Sequence, residues 1–303
     1  MEAMGRKFEI KDLGDIKTYL GMEVTQSDQG IKLTQLAFID QLLEENGMQD
    51  CNPVLTPLPP GLSIDDEPDP SINIKRYQGI SGGAQWLASN AHPEIARAAS
   101  LLAQFNSNPT KKAQDAQRHL LSFLKGIRTS GIMFKRGSSA LPRPIAYSDA
   151  DWGGSLSPGR KSCTGYVFLI NGAPISWKSR RQSSVALSSN EAEYMAASDA
   201  AREAEWLHRL VNDMGLYGDA KDNGVDPIPF FMDSKGARDL ITSSITTQRS
   251  KHIDIRYHYV RDIAARRIIE ITPVGTEFMV ADGFTKSLAM DPFRKFLRQL
   301  GVS

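Results

Sequence analysis

The spacing of apolar residues changes several times along the chain, and each change marks an element. Two short apolar runs, Tyr19 to Gln26 and Ile31 to Gln35, flank Ser27, Asp28, Gln29 and Gly30, which predicts two strands joined by a turn. Phe38, Ile39, Leu42 and Leu43 then recur at helical spacing before Gly47. Residues 52–70 hold six prolines and several acids, the composition of a linker. Further on, Pro93 suits a first helical position, and Ile95, Ala98, Ala99, Leu102 and Phe105 form one stripe. A second helix is predicted from about Thr110, with Ala113, Ala116, Leu120, Leu124 and Ile127 inward.

From residue 143 the pattern alternates between strand and helix. Ile145 to Trp152, Gly165 to Ile170 and Pro174 to Arg180 read as consecutive strands. They are joined by Gly153 and Gly154 with Pro158 and Gly159, and by the hairpin signal Asn171-Gly172. A long helix over about Ser189 to Met214, strands at Ile228 to Met232 and Ile268 to Pro273, and a helical region after Glu277 complete the series. Three meandering strands, a helix, a parallel strand and closing helices predict an α/β unit: one mixed five-stranded sheet with helices on both faces.

With 303 residues, 41% of them hydrophobic, the chain can bury a proper core. The pattern divides it into a small α+β segment with its Pro-rich linker (1–70), a helical segment (71–142) and the α/β unit (143–303). No N-terminal apolar stretch follows Met1, and no run approaches the roughly 20 apolar residues of a membrane span, so a soluble, intracellular protein is expected, cytoplasmic or nuclear and not secreted. Cys51 and Cys163 are too few for a disulfide framework or a zinc site and read as small buried hydrophobes. The net charge of +1 hides an asymmetry: the three segments carry −9, +8 and +2. The middle segment is thus the electrostatic candidate for a polyanion.

Four acids then stand out. Asp149 and Asp233 end apolar strands, while Glu193 and Asp282 sit on helical stretches, so a fold that brings those ends together makes an all-oxygen cage suited to Mg²⁺ or Mn²⁺. Geometry selects Glu193 over Glu191. Glu193 leads the apolar stripe of Ala197, Ala200, Ala204, Leu207 and Val211, whereas Glu191 leads Met195, Ser198, Arg202, Glu205 and Arg209. A carboxylate on a buried face is costly unless paired or on a metal, the bland alternative here being a local arginine. Asp149 and Asp151 share a strand face, and periodicity does not choose between them. For Asp233 the competing role is a helix N-cap.

Taken in this order, the four segments around these acids resemble the ribonuclease H domain of copia-type LTR retrotransposon polyproteins, in which a D-E-D-D tetrad binds two metal ions. Leu13 to Val24, Asn108 to Lys112 and Leu124 to Gly126 resemble the end of the reverse transcriptase and its connection segment, and residues 143–289 resemble the nuclease. The resemblance selects Asp149, and implies that Asp149, Glu193, Asp233 and Asp282 hold two Mg²⁺ or Mn²⁺ ions and cut the RNA strand of an RNA–DNA hybrid. Other retroelement polyprotein products are implied partners. The polymerase active-site motif is missing: Asp65 and Asp66 lie among prolines and acids, not on a tight apolar hairpin. The chain is therefore read as a piece of such a polyprotein, and the rival expectation is a non-catalytic nucleic-acid-binding or scaffolding remnant.

Hybrid contacts are expected from Asn190, from Lys178 and Arg180 on one face of the basic strand, and from Lys111, Lys112 and Arg118 in the basic middle segment. Each has an ordinary alternative as solvated surface. Many cellular ribonucleases H keep a mobile histidine near the last acid, but Thr272 to Thr276 offers none, and His252 and His258 read as structural helix residues.

Overall fold

The computed structural model describes residues 14–64, 66–137, 143–154, 161–215, 226–242 and 254–302. Pro158, Gly159 and His252 lie outside them. The elements run β1 (Thr18–Tyr19), β2 (Met22–Ser27), β3 (Gly30–Thr34), α1 (Leu36–Glu45), α2 (Ile74–Asn90), α3 (Ala96–Leu102), α4 (Lys111–Ile127) and β4 (Gly131–Lys135). Then follow β5 (Ile145–Asp151), β6 (Cys163–Ile170), β7 (Ala173–Arg181), α5 (Ser189–Asp213), β8 (Ile228–Met232), α6 (Lys235–Thr242), α7 (Asp254–Ala265), β9 (Ile269–Pro273), α8 (Asp282–Thr285) and α9 (Met290–Leu300).

The expected mixed sheet forms, in the order β7-β6-β5-β8-β9. Strands β5, β6 and β7 are antiparallel, whereas β8 is parallel to both β5 and β9. Asn171 and Gly172 turn the β6–β7 hairpin with φ of 51° and 76°, the positive values that a primed turn requires. Alternate side chains of β6 feed two cores. Tyr166 and Phe168 pack with Tyr194, Ala197, Ala200, Ala201 and Ala204 of α5, while Val167 and Leu169 pack on the opposite side with Phe284, Phe293 and Phe296. Helices therefore cover both faces.

That second core does not stop at the sheet. It continues through Leu101 and Leu102 of α3, Leu120 and Leu124 of α4, and Ile39 and Leu43 of α1. Three segments that the composition separates thus share one apolar interior. The Trp177 indole N–H of β7 donates to the Ala88 carbonyl of α2 at 2.6 Å, which pins the sheet edge to the helical segment.

Two elements were not announced by the apolar pattern. Helix α2 is rich in glycine and polar residues, so its amphipathic signal is weak. It is set instead by its Asn73 cap, which accepts from the Arg76 N–H, and by close packing: a Cβ on Gly83 would lie 3.0 Å from Leu42. Strand β4 pairs with β3, giving a second, antiparallel sheet in the order β1-β2-β3-β4. Its partner lies about a hundred residues earlier, which local patterning does not reveal.

Candidate metal-binding site

Strand register brings the first two acids together. Tyr147 and Phe231 are neighbours across the parallel β5–β8 pair and stack at 5.0 Å, so Asp149 and Asp233, each two residues further on, emerge side by side at the same sheet end. Helix α5 supplies the third. Its stripe of fully buried alanines, Ala196, Ala197, Ala200 and Ala204, lets its backbone approach the sheet and carries Glu193 to the strand ends. Ligand oxygens of Asp149, Glu193 and Asp233 all lie within 4.8 Å of one another.

The cluster has the chemistry of a cation site. Asp149 is 1% and Glu193 8% exposed, and Glu193 Oε2 has no hydrogen-bond partner. Three converging carboxylates with a buried orphan oxygen fit a hard divalent cation, whose ligands are oxygens at about 2.0–2.6 Å. Burial, together with the charges of Asp149 and Asp233, pushes the Glu193 carboxyl up to about 10.

The competing roles fall elsewhere. Ser234 Oγ accepts from the Ala237 N–H at 3.2 Å and so caps α6, leaving the Asp233 carboxylate to the cluster. Arg238 anchors this turn by donating to the carbonyls of Met232 and Asp233 at 2.6 and 2.8 Å. Glu191 is also buried, contrary to the polar face that its helical spacing suggests. It belongs to the helix start: Ser188 Oγ accepts from the Glu191 N–H at 3.2 Å, and the Glu191 carboxylate accepts from the Leu187 N–H at 2.8 Å. This is a variant of the capping box, a pattern of Ser188 followed three residues later by Glu that the sequence already contains.

Asp282 lies outside the group of three but beside it. Helix α8 turns so that Thr285 and Lys286, three and four residues after Asp282, reach the same acid. Thr285 Oγ1 donates to Asp149 Oδ2. Lys286 Nζ stands 2.5 Å from Asp282 Oδ1 and 3.5 Å from Asp149 Oδ2. Burial raises the Asp282 carboxyl above its ordinary range, and Asp149 adds to this. Burial disfavours the Lys286 ammonium, but Asp149 and Asp282 outweigh it and raise its pKa. The i, i+3 and i, i+4 spacing from Asp282 was the signal that could have picked out these two residues.

Beneath Lys286 lies a side chain that no local pattern marks. Arg97 of α3 is 4% exposed, its Nε and Nη1 have no hydrogen-bond partners, and it lines a small cavity with Glu94, Gly283 and Lys286. Burial raises the Asp151 carboxyl, against the pull of the Arg97 and Lys286 charges.

The expected hybrid contacts divide. Asn190 is exposed at the start of α5, and its Oδ1 accepts from Ser234 Oγ at 3.2 Å. Gly236 makes room for it, since a Cβ there would fall 2.5 Å from the Asn190 amide. Lys178 lines a cavity of about 500 Å³ between β7 and helices α2 and α3. Arg180 is ion-paired with Asp199, which Arg202 also meets. Lys111, Lys112 and Arg118 are exposed on α4, with Lys111 3.3 Å from Asp115. Thr276 Oγ1 donates to Asp233 at 3.3 Å, a polar group in the segment that lacks a histidine. His258 is exposed on α7. Among the described residues, no helix is long and apolar enough to cross a membrane.

Residues 1–60 match a family model described as reverse transcriptase (RNA-dependent DNA polymerase). The chain is 32% identical over 308 residues to the retrovirus-related Pol polyprotein from transposon TNT 1-94 of Nicotiana tabacum, covering 99% of this chain and 22% of that protein. It is 31% identical to the corresponding polyprotein from transposon RE2 of Arabidopsis thaliana, covering 100% of this chain and 20% of that one. It thus spans about a fifth of the length of these relatives. Among solved structures, the N-terminal RNase H domain of Rv2228c from Mycobacterium tuberculosis aligns with 51% of this chain and 97% of its own, at a TM-score of 0.35 and 15% identity.

Proposed function

Because this chain belongs to the Pol polyprotein family of copia-type retrotransposons, we propose that it is a divalent-metal-dependent endoribonuclease that cuts the RNA strand of an RNA–DNA hybrid. The observation that carries the reading is the convergence of Asp149, Glu193 and Asp233 within 4.8 Å.

In this reading Asp149, Glu193 and Asp233 hold one cation, and Asp149 with Asp282 flanks the place of a second. Bound there, Mg²⁺ or Mn²⁺ supplies the positive charge and the activated water that hydrolysis of an anionic phosphodiester needs. The protein's part is to hold the carboxylates before substrate arrives. Thr285 fixes one oxygen of Asp149, Thr276 leans on Asp233, and Arg238 locks the turn that presents Asp233. In this reading Asn190, exposed beside that turn, reads the minor groove and its 2′-hydroxyls, which distinguish the RNA strand. The basic face of α4 adds sequence-independent attraction for phosphates.

The test is cleavage of a labelled RNA–DNA hybrid with Mg²⁺, beside a metal-free control and the Asp233→Asn variant. Metal-dependent cutting of the RNA strand, lost in the variant, is the expected result. Equal cutting by the variant, or none by the wild type, overturns the reading.

A further inference from the structure

The fourth acid is held by a cation that the chain itself carries. Lys286 Nζ contacts Asp282 Oδ1 at 2.5 Å and Asp149 Oδ2 at 3.5 Å, so one ammonium bridges two of the four expected metal ligands. Thr285 donates to the same oxygen of Asp149. The group of Asp149, Glu193 and Asp233, in contrast, contains an orphan carboxylate oxygen at Glu193. Among the described residues the site is thus asymmetric: Lys286 is ion-paired with Asp149 and Asp282, and no ion pair reaches Glu193 or Asp233.

Packing keeps it so. Helix α8 is only four residues long and is pressed against β6 at Gly165, where a Cβ would lie 2.6 Å from Thr285 and 2.8 Å from Phe284. Lys286 follows directly and cannot withdraw into the protein, because the cavity behind it, lined by Arg97, Glu94, Gly283 and Phe293, has a volume of only about 10 Å³. The outward path is open, since the Lys286 side chain is 40% exposed.

Resting on the metal-dependent reading above, we propose that Lys286 is a built-in counter-ion that holds the place of the second divalent cation between Asp149 and Asp282. The free chain then takes one divalent ion, at Asp149, Glu193 and Asp233. A second ion enters only when Lys286 swings outward. An arriving phosphodiester favours that movement, because it brings an anionic partner for the ammonium and further oxygen ligands for the ion. Lys286 is therefore a positioning residue that ties completion of the metal site to substrate.

Counting Mn²⁺ bound to the full chain, by loss of the free-ion electron paramagnetic resonance signal without nucleic acid, tests this directly and does not depend on turnover. Wild type should bind one ion, K286Q two, with the second constant at least tenfold tighter than in wild type, and K286R, which keeps the charge, one. Melting curves check folding. Equal numbers and constants in wild type and K286Q overturn the proposal, and two tight ions in wild type overturn it even if K286Q does not fold. Hybrid cleavage by the same preparations separates the two ideas. A gain of one ion in K286Q without any cleavage by wild type leaves the counter-ion standing and removes the nuclease, whereas cleavage with unchanged counts does the reverse.

Discussion

Gly165 stands directly across the β5–β6 ladder from Asp149, and the volume its side chain would occupy is filled by Thr285 and Phe284. A residue with no chemistry of its own thereby lets α8 reach the acid that Thr285 touches. Gly165→Ala forces a Cβ into 2.6 and 2.8 Å contacts, an overpacking that costs about 1–3 kcal/mol. Helix α8 must move away, taking Thr285 and Asp282 with it. Denaturant unfolding should show the loss of stability, and hybrid cleavage should fall by more than the unfolded fraction explains. Wild-type activity in a folded variant would show that α8 is dispensable.

Glu193 carries a stability signature. Its folded pKa is raised from 4.5 to about 10 by burial and by Asp149 and Asp233. Between those values the folded state binds the proton that the unfolded state has released, so stability contributed by this group falls as pH rises through that window. Glu193→Gln keeps the neutral form at every pH. It should be more stable than wild type at pH 8, by more than about 1.4 kcal/mol, the worth of one pKa unit, and nearly equal at pH 4. Urea unfolding at both pH values without divalent metal measures this. Mg²⁺ should reverse the ranking by stabilising wild type alone.

Glu191 and Asp233 should separate stability from chemistry. Glu191→Gln weakens the start of α5, at a cost of roughly 0.5–2 kcal/mol for a lost cap interaction, while hybrid cleavage by the folded fraction stays at the wild-type level. Asp233→Asn should do the opposite, abolishing cleavage with an unchanged or slightly raised melting temperature. If both variants lost cleavage alike, Glu191 would have to be counted among the ligands.

The exposed basic residues of α4 offer a salt test. Replacing Lys111, Lys112 and Arg118 by Gln together should weaken hybrid binding and flatten the log–log dependence of affinity on salt, by about 0.9 for each phosphate contact removed. The rate at saturation should remain unchanged, because these contacts position the duplex. Superimposable salt curves would assign those side chains to solvent and leave the grip to residues such as Asn190 and Lys178.

Much of this molecule was readable in one dimension because its determinants are local. Alternation and the Asn171-Gly172 turn predict β6 and β7, helical spacing turns Glu193 toward the sheet, and apolar runs ending in acids mark Asp149 and Asp233. The resemblance to retroelement polyproteins likewise rests on short linear segments. What only the tertiary structure decided involves contacts between distant parts of the chain. Strand β4 finds β3 about a hundred residues upstream, and one core joins segments that charge and proline content set apart. Helical periodicity does not foretell the burial of Glu191, because it reports the sides of a helix and not its end, where capping turns a polar residue inward. Arg97 comes to lie behind Lys286 only because α3 packs against α8. A buried charge depends on what surrounds it in space, and for Arg97 those surroundings come from parts of the chain far away in sequence.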